Sequence, residues 1–207
     1  MLALAHPAEG KVIYTPSHVR IAVGNDGNRE YHYPLDLNHD GVVDFSLRMS
    51  RTTATEFFQV ATGVGILGVS GNQAAGVQQR KGYDGLAYAL RAGRRIGPDR
   101  RFGPYNNEVM AVRATSGEGV TCLGPWDNAT KRYLGLRFTI NGELHYGWAR
   151  LDVSCPPKVS TGGLSGILTG YAYETIPNKP IIAGKTKGPD VITVQPGSLG
   201  RLALGRK

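Results

Sequence analysis

The segment that most constrains the fold runs from Tyr133 to Val153, where Tyr133–Ile140 and Glu143–Val153 alternate in polarity on either side of Asn141-Gly142. Successive side chains of a strand point to opposite faces, so period-two patterning marks a strand buried on one side. Asn-Gly between two such runs supplies the two left-handed residues of a type I′ turn. A two-residue loop fixes the register: Ile140 faces Glu143, Phe138 faces His145, Leu136 faces Gly147, Leu134 faces Ala149 and Arg132 faces Leu151. One face of this hairpin is then largely apolar. The other carries Tyr133, Gly135, Arg137 and Thr139 against Arg150, Trp148, Tyr146 and Leu144. Tyr133, Arg137, Tyr146, Trp148 and Arg150 make either an exposed surface that stacks on sugar rings or, beneath a neighbouring layer, a structural cation–π ladder. Burial decides between the two.

Other short strand-like runs are separated by turn residues: Val12–Tyr14, Val19–Val23, Tyr31–Leu37, Val42–Met49, Phe57–Val60, Val64–Val69, Val109–Arg113 and Ile167–Thr175. So many short strands predict an all-β fold, an antiparallel β-sandwich of jelly-roll-like type. Gly85–Ala92 alone has weak helical character, too short for a helical layer. At 207 residues, with 29 glycines and no long apolar stretch, the chain can bury its own core and contains no transmembrane span. One sandwich domain is expected over residues 11–184, after a signal-peptide remnant or frayed terminus over 1–10. A flexible basic tail is expected over 185–207.

Between two of these runs the chain reads Asp36-Leu37-Asn38-His39-Asp40-Gly41-Val42-Val43-Asp44. Oxygen side chains fall at loop positions one, three, five and nine, with glycine at six, which is the spacing of a calcium loop. Asp36, Asn38, Asp40, the Val42 carbonyl and Asp44 are the candidate ligands, and three carboxylates so close together repel one another unless a cation lies between them. Leu47 stands where an EF-hand has its bidentate Glu, and both flanks alternate with period two. The loop is therefore expected to join two strands whose odd-numbered residues face the core, with Pro34 marking an edge or a bulge. The alternative is an Asx-rich turn in which Asn38, Asp40 and Gly41 supply turn chemistry alone.

Cys122 and Cys155 are the two cysteines, either a disulfide or a pair of buried thiols. Their spacing to each other and to histidines fits neither zinc binding nor thiol redox catalysis. Ala3-Leu4-Ala5 has the small-x-small form of a signal-peptidase site. The net charge of +8 is concentrated at Arg91, Arg94, Arg95, Arg100 and Arg101, with Arg80 and Lys81 upstream. This stretch is a solvated basic loop or a dock for an anionic surface, and no nucleic-acid-binding motif accompanies it.

No nucleophile elbow, metalloprotease helix or phosphate loop is present. Glu143, Asp152 and Glu174 are the carboxylates nearest the aromatic hairpin, and no pair of them can be placed in a cleft from sequence. His6, His18, His32, His39 and His145 are scattered. The chain is read as non-catalytic.

The run Tyr33–Phe45, the pair Tyr133–Leu136 and His145–Leu151, and Gly170-Tyr171-Ala172-Tyr173-Glu174 together resemble exported bacterial β-sandwich proteins of uncharacterised activity, many with PEP-CTERM-type sorting tails. The resemblance implies export, a sandwich and an envelope or extracellular setting. Leu199–Gly205 departs from the sorting pattern, since Arg206-Lys207 follows it instead of a spanning helix. The resulting expectation is a secreted, calcium-binding structural or adhesive protein of the cell surface or matrix. Its partner would be envelope or matrix polysaccharide or a second copy, and the alternative is a carbohydrate-binding module.

Overall fold

The computed structural model describes residues 10–22, 30–53, 60–77, 85–103, 107–158 and 163–195. The Ala3-Leu4-Ala5 motif, His6, Val23, Phe57, Arg80, Lys81 and Leu199–Lys207 lie outside them. Every regular element described is a strand, and no helix among the described residues is long and apolar enough to cross a membrane.

One sheet contains β1 (Val12–Ile21), β5 (Gln73–Ala74), β11 (Arg132–Ile140), β12 (Glu143–Ser154), β13 (Ser165–Glu174) and β15 (Val191–Thr193), in the order β15-β1-β13-β12-β11-β5. The facing sheet contains β2 (Glu30–Leu35), β3 (Phe45–Thr53), β4 (Val60–Gly68), β6 (Gly76–Val77), β7 (Gly85–Ala87) and β9 (Asn107–Ser116), in the order β2-β3-β4-β9-β7-β6, and β10 (Gly119–Leu123) also pairs with β9. The fold is an all-β sandwich, as expected. Each sheet is built on a meander, β2-β3-β4 in one and β11-β12-β13 in the other, whereas a jelly roll alternates sheets from strand to strand. Two pairings, β1 with β15 and β7 with β9, are parallel.

The Asn141-Gly142 hairpin has the register that its sequence requires, from Ile140 opposite Glu143 to Arg132 opposite Leu151, with φ of 50° and 83° at the two turn residues. Leu134, Leu136, Phe138, Ala149 and Leu151 of its apolar face enter the main core with Leu35, Leu37, Phe45, Leu47 and Met49 from the other sheet. β2 is an edge strand, which accommodates Pro34 opposite Ser46.

A third layer covers the outer face of the β11-β12-β13 sheet. β8 (Arg95–Ile96) pairs with β14 (Ile181–Ile182), and Ile96, Ile181 and Ala183 pack on Val12, Tyr133, Tyr146 and Trp148 in a second core. Two expectations are corrected here. The Gly85–Ala92 stretch forms β7 and an extended segment, because Trp126 Nε1 donates to the Ala87 carbonyl and Leu90 exchanges backbone hydrogen bonds with Tyr133. Residues 185–195 belong to the domain instead of a free tail. Val12 N–H donates to the Asp190 carbonyl and Val194 N–H to the Tyr14 carbonyl, which seats β15 on the sheet edge.

Candidate functional site

The β2–β3 connection lies over one end of the sandwich and is folded tightly by its own side chains. Asp36 accepts the His39 N–H on Oδ1 at 2.7 Å and the Gly41 N–H on Oδ2 at 2.9 Å. Asp40 accepts the Val42 N–H at 2.8 Å on one oxygen and an Asn38 Nδ2 hydrogen at 2.7 Å on the other. His39 and Gly41 adopt left-handed backbone, φ 62° and 89°, and that curvature presents both of their N–H groups to the Asp36 carboxylate. Asp44 closes it: Oδ2 accepts the Leu37 N–H at 2.8 Å, and the Asp44 carbonyl accepts from Val69 N and Asn72 Nδ2.

Asp44 is 5% exposed. Burial pushes its carboxyl up to about 6; the Leu37 N–H opposes this, and the negative charges of Asp36 and Asp40 add to it. The same three carboxylates, after burial, hold the Tyr173 hydroxyl above its ordinary range, so the loop's negative potential reaches β13. His39 packs its ring 5.6 Å from that of Tyr171 and shares a 2.8 Å hydrogen bond with Thr15 Oγ1, which ties the loop to β1 and β13. Burial lowers the His39 pKa against the pull of Asp36. Asn38 Oδ1 is buried with no hydrogen-bond partner, and the Val42 side chain is 63% exposed. Turn chemistry therefore accounts for one or both oxygens of each Asp, while one buried acceptor stays unsatisfied.

Among the described residues, the trio of His, Cys, Asp or Glu whose ligand atoms all lie within 4.8 Å is Cys122, Asp127 and Cys155. The two cysteines there form a disulfide, Cα atoms 6.2 Å apart, which joins β10 to the end of β12 and so ties the two sheets together. Asp36, Asp40 and Asp44 are not so close. A cation bound by all three would draw the loop inward.

The aromatic face is not a sugar platform. Trp148 is 0% exposed, Tyr146 1% and Tyr133 6%, because the β8–β14 layer covers them. Tyr133 meets Trp148 edge-on at 5.2 Å, Arg137 stacks at 4.7 Å on Phe102, and Arg150 donates to Thr169 Oγ1 and the Thr169 carbonyl. The aromatics are buried as the structural alternative requires, but no arginine of the set stacks on them: the cation–π contact among the described residues is Arg137 on Phe102, and Arg150 is hydrogen-bonded to Thr169 instead. Sequence alternation identified this face, while the strands that cover it are two residues long and give no periodic signal.

Two of the three carboxylates beside the hairpin have partners within the fold. Glu143 is exposed at the turn, Asp152 Oδ1 accepts the Lys131 N–H, and Glu174 is buried against Lys179 Nζ at 3.1 Å. His18 and His32 are exposed, and His145 Nδ1 shares a hydrogen bond with the Glu174 carbonyl. The basic segment is an ordered part of the third layer: Gly93 N donates to the Ala183 carbonyl and Ala183 N to the Arg94 carbonyl. Comparison with family models, with curated proteins and with solved structures gave no match.

Proposed function

We propose that this protein is an exported, non-catalytic structural or adhesive β-sandwich of the cell surface or matrix, stabilised by calcium in its β2–β3 loop. The observation that carries the reading is the buried, partnerless Asn38 Oδ1 in a loop that also holds the desolvated Asp44 carboxylate beside Asp36 and Asp40. Asp36, Asn38, Asp40, the Val42 carbonyl and Asp44 would hold the ion, which would satisfy the orphaned oxygen and remove the mutual repulsion of the carboxylates. Water completes such a coordination shell. The loop joins an edge strand of one sheet to Thr15 and Tyr171 of the other, so a bound ion would fix the two sheets at that end. The disulfide favours an oxidising compartment, which agrees with export.

Terbium luminescence tests the assignment, because Tyr171 and Tyr173 lie close enough to the loop to feel its charge and can sensitise a bound lanthanide. Tyrosine-excited terbium emission that calcium displaces, and that Asp40→Ala abolishes, supports the reading. Emission that survives Asp40→Ala removes it.

A further inference from the structure

We propose that an open groove of about 400 Å³ on the third layer, lined by Tyr88, Leu90, Asp99, Arg100, Arg101 and Pro125, binds the acidic end of a carboxylated oligosaccharide. This site is separate from the β2–β3 loop and does not depend on calcium. Its volume lies in the range of small-ligand sites, about 300–1,000 Å³. Its charge is positive, because the one lining carboxylate, Asp99, is paired with Arg95 Nη1 at 2.7 Å, while Arg100 and Arg101 form no salt bridge among the described residues. Arg100 Nε is enclosed without a hydrogen-bond partner, so the Arg95 carbonyl on Nη2 satisfies its guanidinium only in part and the charge beside the groove is left uncompensated.

The walls are held before any ligand arrives. Arg100 N donates to the Gly97 carbonyl and Arg100 Nη2 to the Arg95 carbonyl at 2.8 Å. The Arg101 carbonyl accepts from Gly76 N, Tyr88 N donates to the Ala75 carbonyl, and Leu90 is fixed to Tyr133. A ligand therefore meets arginines whose backbone is already ordered, which lowers the entropic cost of binding. Guanidinium groups match carboxylates in a bidentate fork, and the flat faces of Tyr88 and Pro125 suit a sugar ring. A nucleic-acid strand calls for successive stacking aromatics along a track, and the groove has one; a membrane surface calls for an exposed apolar anchor beside the cations, and the lining supplies a pocket instead.

Isothermal titration of the whole chain with trigalacturonate, against a neutral hexose trimer, tests this. Binding of the acidic trimer alone is expected, about tenfold weaker in Arg101→Ala and in Arg100→Ala, and within about twofold of wild type in Arg91→Ala, an exposed arginine outside the groove. Melting curves confirm that each variant is folded, and Arg101→Glu repeats the test at an exposed position if Arg100→Ala is unstable. The proposal is overturned by the absence of binding at millimolar trimer, or by equal losses in Arg91→Ala and Arg101→Ala, which mean diffuse attraction. It is also overturned if only anionic phospholipid vesicles or a single-stranded oligonucleotide bind in an Arg101-dependent way.

Discussion

Asp44 Oδ2 accepts the Leu37 N–H at 2.8 Å, tying the last residue of the β2–β3 connection to its second. That bond buries a carboxylate at the mouth of the sandwich, where its ionisation is costly. Its carboxyl titrates at about 6 in the folded chain against an ordinary 3.8. Between these values the folded state keeps a proton that the unfolded state has lost, so stability is highest below the lower value and falls as pH rises through the upper one. In EDTA, Asp44→Asn is expected to flatten this slope and to raise stability near pH 7.5 by about 1–2 kcal/mol, within the roughly 3 kcal/mol that the shift allows. Urea melts from pH 4 to 8 measure it.

Leu37 has a second role, since it lies against Gly147 of β12. A Cβ at Gly147 would stand 2.7 Å from Leu37 Cδ2 and 2.8 Å from the Ala172 carbonyl oxygen, and the latter belongs to a paired backbone that cannot move aside. Gly147→Ala is therefore expected to destabilise by about 1–3 kcal/mol through overpacking, and Leu37→Ala by about 2–5 kcal/mol through a cavity. Chemical denaturation of both variants checks the docking of the loop on the hairpin.

The Cys122–Cys155 bridge closes a loop of 33 positions between the two sheets. On the chain-entropy argument its loss costs about 3–4 kcal/mol. The double variant Cys122→Ser/Cys155→Ser is expected to melt at lower temperature than the oxidised wild type and at about the temperature of the reduced protein. A reduced protein that melts with the oxidised one contradicts this.

Trp148 separates a buried aromatic cluster from a binding surface. Fully enclosed by Tyr14, Tyr133 and the β8–β14 layer, it is expected to cost about 3–5 kcal/mol on replacement by alanine. Stability, and not glycan binding, is the property that Trp148→Ala changes.

What was legible in the sequence follows from how each signal arises. The register from Arg132 to Leu151 could be read to the residue, because Asn141-Gly142 and unbroken alternation leave no freedom to slip. The Tyr31–Met49 strand pair and its odd-numbered core residues were legible for the same reason. The third layer was not: Arg95–Ile96 and Ile181–Ile182 are strands too short for periodicity, and they sit among Gly, Pro and Arg that read as solvated loop. Missing that layer left the exposure of Trp148 undecided and hid the groove beside Arg100. Residues 185–195 read as linker by composition, yet backbone hydrogen bonds to β1 order them, a contact across almost the whole chain. In the β2–β3 loop, spacing picked out the oxygen-bearing side chains, while the backbone bonds that Asp36 and Asp40 accept depend on φ at His39 and Gly41, which spacing does not show.

The most direct measurement is the melting temperature of the wild type in EDTA and in 10 mM calcium, beside Asp40→Ala. For an extracellular-type site with a dissociation constant of about 10⁻⁴–10⁻³ M, linkage gives about 1.5–3 kcal/mol of stabilisation, or roughly 3–10 °C for a domain of this size. A calcium ion held in the β2–β3 loop predicts that rise in the wild type and none in Asp40→Ala. Melting curves of the wild type that coincide in EDTA and in calcium would contradict it.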